Sequence, residues 1–233
     1  MHALSGKSSE LSPALAAALA VYRHKIFIER LGWSLPSQDG MERDQFDRPD
    51  TLYVIARESN GAICGCARLL PTTQPYLLSE VFPELLGDVP RPHAPEVWEL
   101  SRFAATTADT GSMLNATIGT RRLLAAAISS AIAQGAKRLI TVSPLGVERL
   151  LRRMGVHAHR AGPPLKVEGK IIFACWIEIN AQTIGALDVA SIEPPACHIY
   201  PDFGQHILRV MEGERFRNPD RASANCENRA HAF

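Results

Sequence analysis

Residues 51–70 read TLYVIAR-ESNG-AICGCARLL: two runs rich in β-branched and apolar residues, joined by a four-residue polar turn ending in Gly61. Such a pattern predicts an antiparallel β-hairpin, 51–57 paired with 62–70. Working outward, VWELSRFAA (97–105) predicts a third strand, and the short β-branched run RLITVS (138–143) predicts a buried one. IIFACWIEI (171–179) carries the strongest strand signal in the chain. Between these runs lie helical periodicities. One is Ala-rich over 113–135, and one runs from Leu145 to Met154 before Gly155 stops it. A third spans 13–31, where Ser12 and Pro13 open a helix that Gly32 closes. A hairpin first and crossover helices later imply an α/β protein. The expectation is a three-layer α/β/α sandwich with a mixed central sheet. It is expected to form one domain over 1–190, followed by a Pro-, Asn- and Arg-rich extension over 191–233 expected to be weakly ordered.

The charge balance excludes partners that bind through a strong global field. Twenty-five Lys+Arg against 24 Asp+Glu leave a formal charge of +1 over 233 residues, so neither nucleic acid nor a membrane surface is an expected partner. The longest apolar stretch, Pro13 to Tyr22, reaches about half of the ~20 residues needed to span a bilayer. Its stripe Leu15, Leu19, Tyr22, Ile26 continues into Arg-His-Lys at 23–25, which favours an amphipathic helix over a signal peptide. Five scattered cysteines fit a reducing compartment, and a cytoplasmic protein is expected.

Five groups of residues are weighed as candidates for chemistry. Arg23 and Phe27 stand one helical turn apart, Trp33 follows, and Asp44 and Asp47 lie beside Glu42 in a polar 34–50 loop too long for an ordinary connection. Aromatic surface beside carboxylates suits a bound cation, although an acidic loop can also simply be solvated. In 97–105 simple alternation places Glu99, Ser101 and Phe103 on one face, with Leu100 and Arg102 on the other. A central strand carrying Glu and Arg needs partners for both, for structure or for a site, and Arg68 is a second candidate partner for the loop carboxylates. Arg149, Arg152 and Arg153, with Arg160, Lys166 and Lys170, form a local basic cluster that reads either as a dock for an acidic partner or as a solvated face. Cys64 and Cys66 alternate onto one strand face and read as buried thiols. His157 and His159 face the same way without a third ligand, so no metal is expected. No Walker loop, G-x-S-x-G elbow or G-x-G-x-x-G is present.

Taken in order, YRHKIF with Trp33 (22–33), ERDQFD (42–47), CARLLPT (66–72) and WELSRFA (98–104) closely resemble the bacterial acyl-homoserine-lactone synthases of the LuxI type, over about residues 10–190. The resemblance implies a fold similar to the GCN5-related N-acetyltransferases. It also implies synthesis of an N-acyl-homoserine lactone from S-adenosylmethionine and an acylated acyl carrier protein. The family positions match at Arg23, Phe27, Trp33, Asp44, Asp47, Arg68, Phe82, Glu99, Ser101 and Arg102. On this basis Glu99 is the candidate general base with Ser101 and Arg102 beside it. Arg23, Phe27, Trp33, Asp44, Asp47, Arg68, Phe82, Arg102 and Phe103 are expected around S-adenosylmethionine. In that pocket Asp44 and Asp47 suit its cationic side and Arg23 and Arg102 its anionic side. Leu100, Thr141, Val142, Ser143, Leu150 and Trp176 are candidate walls for the acyl chain, and Arg149, Arg153 and Lys166 the carrier-protein dock. S-adenosylmethionine is a co-substrate, with no tightly bound cofactor expected, and the chain is expected to be a monomer. An N-acyltransferase of the same fold using acyl-CoA on another amine is the alternative. A non-catalytic acyl- or nucleotide-binding regulator would lack Glu99 or the loop carboxylates.

Overall fold

The hairpin expected at 51–70 forms. Leu52–Arg57 pairs antiparallel with Ile63–Pro71, with Leu52 opposite Leu69 and Ile55 opposite Cys66. Around it the computed structural model, which describes residues 1–106 and 113–191, sets out the remaining elements. In chain order these are β1 (His2–Lys7), α1 (Pro13–Arg23), β2 (Ser37–Gln38), β3 (Met41–Glu42), β4 (Leu52–Arg57), β5 (Ile63–Pro71), α2 (Leu77–Glu80) and β6 (Val97–Ala105). There follow α3 (Met113–Ala133), β7 (Arg138–Pro144), α4 (Leu145–Arg153), β8 (Ala158–Arg160), β9 (Leu165–Val167), β10 (Lys170–Glu178) and α5 (Ala181–Leu187). The extension expected to be weakly ordered lies, beyond Ser191, outside the described residues. No helix among the described residues is long and apolar enough to cross a membrane.

The sheet order is β1-β4-β5-β6-β7-β10-β8, with β9 beside one end of β10. All pairings are antiparallel except β6 with β7, which α3 joins as a crossover. Leu52, Val54, Ala67, Leu69 and Leu100 face one way, against Leu123, Leu124 and Ile128 of α3 and Leu151 of α4. The other face carries α1, whose Leu19 and Tyr22 pack with Ile26 just beyond its end on Tyr53, Ile55 and Cys66, and a second patch in which Leu78, Leu85 and Leu86 cover Leu70 and Ile140. Helices on both faces give the expected three layers.

Three local departures from the sequence reading shape the site. The helix expected over 13–31 is α-helical only to Arg23 and continues as a wider π-turn over His24–Arg30, ending at Gly32 with φ +63°. In β6 a bulge opposes Cys66 and Arg68 of β5 with Ala104 and Ser101, and Arg102 takes φ +49°. The extra residue breaks the expected alternation, so Arg102 joins Glu99 and Ser101 on one face while Phe103 packs on the other with Leu100. A second register shift, opposite Ala56 and Arg57, separates the two cysteines expected on one face. Cys64 packs on the α3 side and Cys66 on the α1 side.

β6 and β7 pair only where Val97–Glu99 meets Arg138–Ile140. Beyond this they continue to Ala105 and Pro144 with a cavity between them. The cover of the second face is tight: a Cβ on Gly162 would lie 2.2 Å from the Leu85 carbonyl oxygen. Gly162→Ala is therefore expected to lower the unfolding free energy by about 1–3 kcal/mol in urea denaturation; an unchanged midpoint would contradict this contact.

Candidate active site

α1 and the 42–47 loop meet β5 and β6 at a cluster of buried ions. Arg23 Nε donates to Glu42 Oε2 at 2.6 Å and its Nη1 to Asp47 Oδ1 at 2.8 Å. Arg68 Nη1 donates to Asp44 Oδ1 at 2.6 Å and to Asp47 Oδ1 at 2.9 Å, and its Nε to Ser101 at 3.0 Å. Arg102 Nη2 donates to Glu42 Oε1 at 2.9 Å and to Asp44 Oδ2 at 2.8 Å. The Tyr53 hydroxyl closes the set on Asp47. Three guanidiniums thus balance three carboxylates, the most exposed being Asp47 at 11%.

The loop is built to present these groups. Asp47 Oδ2 accepts from the Asp44 backbone N–H at 2.8 Å, and Asp44 Oδ1 from that of Phe46 at 2.9 Å, so the carboxylates also fold their own turn. Each guanidinium stacks near a ring: Arg23 on Tyr53, Arg68 on Phe46 and Arg102 on Phe27. Burial alone would raise the Asp47 carboxyl, but Arg23 and Arg68 outweigh it and hold the group well below the usual carboxylate range.

Beside the ions opens a cavity of about 490 Å³. Phe27, Trp33, Asp44, Phe82, Ser101 and Arg102 line one end. Leu100, Thr141, Val142, Ser143 and Leu150 line its extension through the β6–β7 gap, where Thr141 and Ser143 are 3.3 Å apart on one strand face. Phe103 reaches the cavity from the α3 side.

Several expected residues stand elsewhere. Arg23, Asp47 and Arg68 are not wall residues and lie behind Arg102 and Asp44, bound to other side chains of the network. The carboxylates expected to meet a ligand cation are thus already paired with arginine, and the Phe27 ring already has Arg102 over it. Trp176 does not line the acyl end: it faces the opposite side of β10 under Arg138, 4.0 Å from the ring centre, and Ile177 lines the cavity in its stead. That is a period-two effect, since adjacent strand residues face opposite ways.

Glu99 is fully buried and is not a wall residue either. Its two oxygens accept the backbone N–H groups of Leu78 at 2.7 Å and Leu77 at 2.9 Å, the open start of α2. Burial pushes its carboxyl up to about 7 against the opposing pull of those N–H groups and of Arg68 and Arg102. Burial likewise pushes the Cys66 thiol up to about 12, which suits a structural sulfur rather than a nucleophile.

Of the basic cluster, Arg149, Arg153 and Lys166 are exposed and without an ion-pair partner among the described residues. Arg160 is held by Glu148 at 2.7 Å, and Lys170 is bound to the 31–33 segment. The main site residue that sequence reasoning passed over is Glu42, wholly buried and bridging Arg23 to Arg102. Its signal was its place two residues before Asp44 in ERDQFD.

A model of the autoinducer synthase family matches residues 8–187. The chain belongs to that family. An acyl-homoserine-lactone synthase of Ralstonia nicotianae is 52% identical over 189 residues, 79% of this chain and 93% of the relative. The crystal structure of TofI in a ternary complex with an inhibitor and MTA is 50% identical, covers 84% of this chain and all of its own, and superposes with a TM-score of 0.73. The CoA-dependent acyl-homoserine lactone synthase BjaI, solved with SAM and isopentyl-CoA, is 27% identical over 89% of this chain and 99% of its own, with a TM-score of 0.75. At the level of fold alone, a putative N-acetyltransferase from Lactobacillus plantarum, 18% identical, covers 77% of this chain and 99% of its own with a TM-score of 0.50. The expected family and its acetyltransferase-like fold are therefore both found.

Glu99 gives the synthase a pH signature. The folded chain keeps this proton up to about 7, whereas the unfolded chain releases it near 4.5. The folded state therefore binds more protons across that interval, and stability falls as pH rises through it. Relative to Glu99→Gln, the unfolding free energy of the wild type should drop by about 3 kcal/mol from pH 4.5 to 7 in denaturant titrations; parallel curves would contradict the buried, protonated carboxyl. Asp47 acts with the opposite sign, its contribution being lost as pH falls below the ordinary carboxylate range.

Proposed function

We propose that this chain, an acyl-homoserine-lactone synthase, makes its product from S-adenosylmethionine and an acyl-[acyl carrier protein] within one domain spanning residues 1–190. The observation that carries the reading is one continuous cavity with an ionic and aromatic end and an apolar end, joined through the gap between β6 and β7. In this reading the methionine portion of S-adenosylmethionine lies at the end walled by Arg102, Asp44, Phe27 and Trp33. Arg102 meets its carboxylate, and Arg23, Arg68, Glu42 and Asp47 hold Arg102 and Asp44 in place. The acyl chain lies along Leu100, Thr141, Val142, Ser143 and Leu150, with Phe82 and Phe103 completing the passage between the two ends.

Two bond-forming steps follow. The α-ammonium first loses a proton through water to Glu99, whose raised pKa makes it a usable base near neutrality. The free amine attacks the thioester carbonyl, forming the amide as the C–S bond breaks and the carrier thiol takes up a proton. The methionine carboxylate oxygen then attacks its own γ-carbon and breaks the bond to the sulfonium. The negative carboxylate and positive sulfonium become a neutral lactone and neutral methylthioadenosine. Holding the chain folded back on itself supplies most of the second step. Ser101, hydrogen-bonded to Arg68, orients the wall between Glu99 and the substrate.

Incubating the purified protein with S-adenosylmethionine and acyl carrier proteins or acyl-CoAs of varied chain length, with mass spectrometry of the products, tests the reading. Acyl-homoserine lactone and methylthioadenosine in equal amounts, at a kcat/KM at least ~10-fold higher for the carrier-bound donor, are expected. A preference for CoA would overturn the donor, and no lactone with any donor the reaction. Glu99→Gln should lower kcat by about 100-fold or more. The exposed, unpaired Arg149, Arg153 and Lys166 suit an acidic carrier protein. Reversing Arg149 and Arg153 to Glu should raise the KM for it steeply at low salt and leave the KM for S-adenosylmethionine unchanged. Equal effects on both substrates would remove these residues from the dock.

A further inference from the structure

Lys170 is the one member of the expected basic cluster that reaches across the fold to the aromatic end of the cavity. It opens β10, directly after the β9–β10 turn, and Val167 at the end of β9 and Glu168 in the turn line the cavity. Its Nζ lies 4.1 Å from the centre of the Trp33 ring, and donates to the carbonyl oxygens of Leu31 at 2.8 Å and Gly32 at 2.7 Å. These carbonyls belong to the end of the π-turn, where the helix has acceptors left over and where its dipole favours a cation. Leu31, Trp33, Ser34, Leu35 and Pro36 are all wall residues, whereas Lys170 is not.

One ammonium thus ties together two stretches of wall that are more than 130 positions apart in sequence. The backbone N–H groups of Leu31, Gly32 and Trp33 donate back to Ile26, Ile28 and Phe27, and Trp33 and Leu35 pack against the core, but the carbonyl side of the turn is open: Leu31, Ser34 and Pro36 are exposed, and β2 after the segment pairs, among the described residues, with the two-residue β3. We propose that Lys170 is a positioning residue for the S-adenosylmethionine end of the cavity. It clasps the helix end and one face of Trp33, so that the indole is set as a wall before substrate arrives. The proposal rests on the reading that this end of the cavity takes S-adenosylmethionine. It assigns Trp33 the role of a fixed partition, because a ring that already holds the protein's own cation has less attraction to offer a second one.

The test compares Lys170→Met, which keeps much of the side chain's reach but removes the charge, with Lys170→Arg, which keeps the charge. Both are made in the full chain with Trp98 and Trp176 replaced by Phe, so that Trp33 alone fluoresces. In the unliganded protein Lys170→Met should raise acrylamide quenching of Trp33 at least about twofold. It should raise the KM for S-adenosylmethionine about 10-fold and keep kcat within about twofold and the donor KM unchanged, and Lys170→Arg should restore most of the loss. Quenching and KM at the parent's values would overturn the clasp, as would a lowered melting temperature without a selective KM change, which would make Lys170 merely structural. Increased quenching with the KM effect falling on the acyl donor would uphold the clasp and overturn the placement of S-adenosylmethionine.

Discussion

Everything around the cavity depends on the mutual neutralisation of Arg23, Arg68 and Arg102 by Glu42, Asp44 and Asp47. Charges this deeply buried survive only when paired and hydrogen-bonded, and removing one member of such a set costs about 3–5 kcal/mol because it strands its partners. The three guanidiniums arrive from α1, β5 and β6, and the three carboxylates from the end of β3 and the loop that follows it. No member can move alone. The loop is therefore held against the sheet by its own charges, and the end of α1 is held with it. Breaking the network at Glu42 would take one of two carboxylate partners from both Arg23 and Arg102, leaving Arg23 to Asp47 at the back of the site and Arg102 to Asp44 at its wall.

Two backbone irregularities make this geometry possible. A regular β6 would send Arg102 to the α3 side, away from Glu42 and Asp44; the bulge with Arg102 at positive φ returns it to the ionic face. The Cys66 thiol supports that turn by donating to the Arg102 carbonyl at 3.1 Å. The short parallel pairing of β6 with β7 then lets the strands part, so a polar pocket on one face of the sheet continues into an apolar one towards the other. The reaction needs both, since a zwitterionic amino acid and a hydrocarbon chain must meet at one carbonyl carbon.

The sequence was informative where a single period governs. The hairpin at 51–70, the strand at 97–105 and the helices around 113–133 and 145–153 were legible because alternation and 3.6-residue spacing persist across each. The strand His2–Lys7 was passed over: its Ser5-Gly6 interruption hides the alternation, and only pairing with β4 holds it. Face assignments failed where one extra residue intervenes, at Arg102 and at Cys64, because a bulge is a tertiary accommodation that leaves no mark in the local pattern. Arg23, Asp44, Asp47, Arg68 and Arg102 meet in one network, yet only Asp44 and Arg102 of these reach the cavity wall. Residue type showed that Asp44, Asp47 and the arginines belong together, but not that they answer one another's charge before any ligand does. Trp176 was misplaced by one residue of strand register, and Glu42 was hidden among neighbours of the same charge.

In the proposed function the network presents Arg102 to the amino-acid part of S-adenosylmethionine. Calorimetric titration of Arg102→Met against two ligands tests it, because methylthioadenosine shares the adenosine and thioether portion but lacks the ammonium and carboxylate. S-adenosylmethionine binding is expected to weaken by about 100-fold, as for a lost charge-assisted hydrogen bond in a buried site, while methylthioadenosine binds as it does to the wild type. Equal weakening of both ligands, or unchanged binding of S-adenosylmethionine, would contradict it.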